Sequence, residues 1–200
     1  AVYDSLYASS GLSVSLTEFS AATSPSIPNA AAAGDTAVVC ALAASGGLTT
    51  PPTGWTEQSS ADNGVVEVTV LVKTLASGDL GTSITIASGG GALGAIAIIS
   101  GTGGTTPTLT GSSNIGGQSA AADITLPATN VANTVVIGAA YSSVPPSFNG
   151  DSFDETVSVQ SSVGTTVGYK VYSTAMASSF TVAAPDSGNY NSLSGISLEF

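Results

Sequence analysis

Hydrophobic and polar residues alternate along much of this chain with a period of two. In GVVEVTVLVKT (64–74), Val66, Val68, Val70 and Val72 fall on one face, and Glu67, Thr69 and Lys73 on the other with Leu71 among them. Successive side chains of a strand point to opposite faces, so this spacing predicts a half-buried strand with a wet outer side. TVGYKVY (166–172) reads the same way, with Val167, Tyr169 and Val171 inward and Thr166, Gly168, Lys170 and Tyr172 outward. TAVVC (36–40) and TVVIG (134–138) are apolar almost without interruption, which predicts strands covered on both faces. Helical periodicity is nearly absent. Short runs rich in Val, Ile and Thr, broken by Gly, Pro, Ser and Asn, predict an all-β fold: an antiparallel β-sandwich of the jelly-roll or immunoglobulin-like kind.

The pattern is also written twice. SIPNAAAAGDTAVVCALAA (26–44) is echoed by TLPATNVANTVVIGAA (125–140), TTPPTGW (49–55) by SVPPSF (143–148), and LVKTLAS (71–77) by GYKVYST (168–174). SITIAS (83–88) then returns as SFTVAA (179–184), and GAIAII (94–99) as GISLEF (195–200). The spacing is similar throughout, 99 residues from Pro28 to Pro127 and 97 from Lys73 to Lys170. Five echoes in one order predict two sequence-related halves, 21–100 and 121–200. Residues 1–20 precede them as one or two strands or a docking arm, and the Gly/Ser/Thr-rich stretch 101–120 reads as a linker loop. The halves form either two small sandwiches or one larger one; the strands buried on both faces favour one.

Charge changes the picture most. Two lysines face thirteen acids, for a net charge of −11, and charged residues are 8% of the chain against roughly 25% in ordinary domains. That sign disfavours nucleic acid and anionic membrane surfaces as partners. No apolar run reaches the length of a membrane-spanning helix, and no basic region followed by an apolar core opens the sequence, so neither a span nor a signal peptide is expected. The two lysines occupy corresponding places in the two halves. An interspersed charge on an outer strand face discourages edge-to-edge pairing, and that is the role expected of them. The single Cys40 lies in an apolar run and reads as a buried, inert thiol.

The inventory for catalysis is thin. With no histidine, a Ser-His-Asp triad and histidine acid–base chemistry are excluded, and one cysteine cannot build a structural zinc site. NGDSFDET (149–156) is the one dense acidic stretch. Asn149, Asp151, Asp154 and Glu155 offer oxygen ligands for Ca²⁺ without the spacing of an EF-hand, and a solvated acidic loop is the plainer reading. A carboxylate pair there would serve glycoside hydrolysis, but aromatics are only 6% of the chain with a single Trp, too few for the platforms such a cleft carries, so no enzyme is expected. Trp55, after a Pro-Pro-x-Gly turn, and Phe148, after the matching Pro-Pro, read as plugs at the end of the core; with Tyr141 they are also the rings that would stack on a ligand.

The order Pro…Gly34-Asp35-(apolar strand)…Pro51-Pro52-x-Gly54-Trp55…Lys73…Gly94 to Ile99 resembles a β-sandwich module of bacteriophage virion proteins. The degenerate second copy carries Pro127, Pro145, Pro146, Lys170 and Gly195 to Phe200, with Asn133 and Thr134 in place of Gly-Asp. The resemblance covers about residues 25–200 and implies a non-enzymatic virion component in a capsid decoration, tail or fibre. Its expected partners are further copies of itself and other virion proteins. The alternative is a secreted or cell-surface carbohydrate-binding or adhesion module, with the aromatic rings against a host-surface glycan.

Overall fold

The computed structural model describes residues 11–22, 24–48, 51–87, 91–117, 122–142, 149–150, 153–160, 164–184 and 191–200. It is an antiparallel β-sandwich whose chain completes one layer before entering the other. The first layer contains β1 (Ser13–Ala22), β2 (Thr36–Ala44), β3 (Thr56–Asp62), β4 (Val66–Thr74) and β5 (Ala92–Ser100), in the lateral order β1-β5-β2-β4-β3. The second contains β6 (Thr108–Gly117), β8 (Thr134–Ser142), β10 (Glu155–Gln160), β11 (Gly164–Tyr172) and β13 (Asn191–Glu199), in the order β6-β13-β8-β11-β10. In each layer the first, fifth, second, fourth and third long strands of that half lie side by side. A short third sheet of β7 (Ala122–Leu126), β12 (Phe180–Ala184) and β9 (Asn149–Gly150) packs on the second layer.

Strand register carries the correspondence to single residues. Lys73 lies opposite Ala37 of β2, and Lys170 opposite Val136 of β8, so the spacings from Pro28 to Pro127 and from Lys73 to Lys170 describe one paired arrangement. The last echo is displaced by two residues: Thr36 faces Ile99 and Val135 faces Leu198, which matches ALGAIAIIS to NSLSGISLE. The turns before β2 and β8 agree as well. Gly34 has φ 93° and Asn133, in the same place, φ 60°. Asparagine is among the few residues other than glycine that enter this left-handed region at low cost. Asp35 then accepts the Ala32 N–H at 2.8 Å, whereas Thr134 donates to the Val131 carbonyl at 3.1 Å. The link back three residues is kept while its donor and acceptor are exchanged.

One hydrophobic cluster joins the inner faces, with Val38, Val70, Ala97 and Ile99 from the first layer and Ile137, Val167, Ile196 and Leu198 from the second. β1 lies against β10 and β3 against β6, so corresponding strands meet reciprocally, as in a two-fold dimer. A buried hydrogen bond from Ser194 Oγ to Ser59 Oγ, 2.7 Å, ties the layers on the β3 side. The outer faces are covered too. Ile27, Ile84 and Ile86 lie over Ala37, Val39 and Leu71, and Leu126, Phe180 and Val182 lie over Val136, Ala140 and Leu193. Cys40 is buried, and burial pushes its thiol up to about 12.

Four expectations are corrected. Residues 108–117 are an edge strand paired with β13, not a linker loop; main-chain hydrogen bonds hold TLTGSSNIGG there although it has no hydrophobic period. β1 is an integral edge of the first layer, so the first half begins before residue 21, while residues 1–10 lie outside the described ones. The outer side of β4 is not wet at Thr69 and Leu71, both buried, because the chain on either side of residues 27 and 84 folds over it. Finally, β4 and β11 each have neighbours on both sides, so the lysines guard no edge.

Candidate functional site

What the lysines do instead follows from their partners. Lys73 Nζ lies 2.6 Å from Asp79 Oδ1, with side chains 18% and 21% exposed. Asp79 sits at the end of the helical turn Ser77–Asp79, and its Oδ2 accepts the Ala76 N–H at 2.8 Å. The ion pair therefore pins the turn after β4 to the outer face of the first layer. Lys170 does the same from β11: its Nζ lies 3.0 Å from Asp154 Oδ1, and Asp154 Oδ2 accepts the Val171 N–H at 2.8 Å. The acid follows the lysine in one half and precedes it in the other.

The hydrogen bond from Lys73, and then that from the Ala76 N–H, hold the Asp79 carboxyl below its ordinary value against a smaller opposing effect of burial. A carboxyl depressed in the folded state adds stability that is present above its unfolded pKa and is lost as pH falls through the folded one. Urea midpoints measured between about pH 5 and pH 2 are expected to fall less steeply in Lys73→Met than in the parent. Equal slopes would show that the pair adds nothing.

Trp55 borders an open notch beside this ion pair. The Pro52–Trp55 turn closes with the Trp55 N–H donating to the Pro52 carbonyl at 3.0 Å, and the half-buried indole packs against the outer cluster of the first layer, not against the core between the layers. Gly54 has φ 84°, and a Cβ there would come within 3.3 Å of Lys73 Nζ, so the turn passes closely over the lysine. The notch, about 270 Å³, is lined by Pro52, Trp55, Lys73, Asp79, Thr82 and Ile84 among others. Thr82 Oγ1 donates to the Asp79 carbonyl at 2.6 Å, and Ser26 Oγ and Ser83 Oγ are 3.1 Å apart nearby. A second notch of about 280 Å³ opens across the lysine, lined by Gly54, Gln58, Thr74 and Thr106 among others.

The other expected site residues are described only in part. Phe148 and Asp151 lie outside the described residues; Tyr141 and Asn149 are placed by their backbones, opposite Thr165 and Ala183. Both carboxylate oxygens of Asp154 have partners within the chain, and Glu155 Oε2 accepts the Tyr169 hydroxyl at 3.2 Å. No group of three Asp, Glu, Cys or His side chains suited to a metal occurs among the described residues. Among the described residues, Phe153 caps part of the outer face of the second layer. It lies over Gly138 and Gly168, where an added Cβ would come within 2.9 and 2.8 Å of it, and it meets Phe180 edge-on at 5.0 Å. Asp79, Thr82 and Ser83 were not legible beforehand as neighbours of Trp55, because they reach it from a later segment. No family model, curated protein or solved structure matches this chain.

Proposed function

We propose that the protein is a non-enzymatic structural component of a bacteriophage particle, in a capsid decoration, tail or fibre, that assembles with further copies of itself and with other virion proteins. The observation that carries this reading is the use made of the residues behind the resemblance. Gly34 and Asp35 form the turn into β2, and the Pro52–Trp55 turn lies over Lys73. Lys73 pins the turn holding Asp79, and Gly94 lets β5 approach β2. Each serves shape, and a particle protein acts through shape and the faces it presents. The common strand order of the halves supports their being two copies of one unit. Mass spectrometry of gradient-purified particles from the source lysate tests the role. The protein is expected in the particle fraction after a high-salt wash, in stoichiometric amount with other virion proteins. Abundance in the lysate with absence from the particles would overturn the reading.

A further inference from the structure

The geometry points to a saccharide site on the outer face of the first layer: the notch beside Trp55 takes one ring of a neutral hexopyranoside. The site stands apart from the particle role, since it depends on one chain and not on assembly.

Three observations converge on it. The first is the pairing of surfaces. A pyranose has an apolar C–H face and an edge of hydroxyls, each of which donates and accepts at once. The notch is lined by both kinds of surface, Trp55 and Pro52 together with a fixed donor and acceptor, Lys73 Nζ and Asp79 Oδ1, only 2.6 Å apart. An ammonium carries three donors, and the carboxylate uses one of them. Thr82, whose hydroxyl donates to the Asp79 carbonyl, lines the notch as well. A planar aromatic beside a few fixed polar groups is the makeup of a small-ligand site, and about 270 Å³ lies just below the lower end of the roughly 300–1,000 Å³ such sites span.

The second observation is charge. Asp79 neutralises Lys73, and the chain carries −11 overall, so sialic and uronic acids are disfavoured and a neutral sugar is selected. The third is the openness around the Trp55 ring compared with that around Phe153. In the second half Phe153 is packed down upon Gly138, Gly168 and Phe180, while Trp55 borders open space. Across Lys73 the adjoining notch is lined by Thr74, whose buried Oγ1 has no hydrogen-bond partner. A saccharide longer than one ring would extend past Lys73 and Gly54 into that second notch, so oligomers should bind more tightly than monomers.

Trp55 is the sole tryptophan, which makes its emission a direct reporter. Titration of the full chain with methyl glucoside, methyl mannoside, methyl galactoside and the corresponding neutral oligosaccharides is expected to give a saturable shift with at least one series, tighter for the oligomers. Asp79→Asn should weaken binding about tenfold, the effect of losing one charged hydrogen bond. Trp55→Leu, followed by calorimetry, should abolish it while the circular dichroism spectrum stays unchanged. If Asp79→Asn is poorly folded, Thr82→Val takes its place, with weakened binding again expected. No saturable response to any of these sugars would overturn the site, as would binding that Trp55→Leu leaves intact. Absence of the protein from particles, by contrast, would leave these titrations unaffected.

Discussion

Replacing Phe180 by alanine is expected to lower the stability of the fold by about 4 kcal/mol, the range for a fully buried phenylalanine. Phe180 is 1% exposed at the start of β12, in the cluster covering the outer face of the second layer. Its ring meets Phe153 at 5.0 Å and Tyr172 at 6.5 Å, both edge-on, so truncation removes two aromatic contacts along with the buried area. It also removes what holds Phe153 over Gly138 and Gly168, where no side chain can fill the gap. Against a total of about 5–15 kcal/mol for a typical domain, such a loss is severe. Because the core between the layers draws on both halves, unfolding should remain one transition with a lower urea midpoint and an unchanged slope. A cost below about 1 kcal/mol would mean that the outer cluster is a loose cover and not part of the core.

Gly94→Ala is expected to cost about 3 kcal/mol through the opposite fault, too much matter in place of too little. Gly94 lies in β5 between β1 and β2, opposite Phe19 on one side and Ala41 on the other. A Cβ at this position would fall on the Cys40 carbonyl oxygen and 3.0 Å from the Phe19 ring. The ring can turn aside. The carbonyl cannot, because it belongs to the central strand of the layer, so relief requires the backbone of β2 to move. Gly78→Ala provides the contrast: it sits in the exposed turn with nothing within 4 Å of an added methyl, and should be neutral or slightly stabilising. Equal urea midpoints for the two variants would rule out the steric account.

The same contrast between strand interior and surroundings explains what could be read from residues alone. Val66, Val68, Val70 and Val72 announced β4 and its inner face, and the unbroken TAVVC and TVVIG announced strands covered twice, because those facts are local to each strand. The echoes between the halves were legible too, whereas the strand order the halves share is set by pairing between distant strands and could not be read from them. β6 was hidden since its place depends on main-chain pairing with a strand some eighty residues later, which leaves no trace in TLTGSSNIGG. The lysines were visible as a matched pair, but their purpose was not: Asp79 lies six residues after one and Asp154 sixteen before the other, and no single spacing links them. The notch beside Trp55 was half legible. The turn and its ring stood out, whereas the polar wall comes from residues 73–82, brought there by the Lys73–Asp79 pair itself.

The chain's habit of finishing one layer before starting the next has a consequence during synthesis. When residue 100 leaves the ribosome, β1 to β5 can pair with one another, yet the valines of β4 and the isoleucine at 99 still face water, since every residue that will cover them lies downstream. Half of the final core thus waits, exposed, for contacts of long sequence separation, the circumstance in which β proteins fold slowly and are open to aggregation. The free edges of that waiting sheet are β1 and β3, and both carry glutamate, Glu18 and Glu57. Like charges on those edges oppose pairing with the same edge of a second unfinished chain.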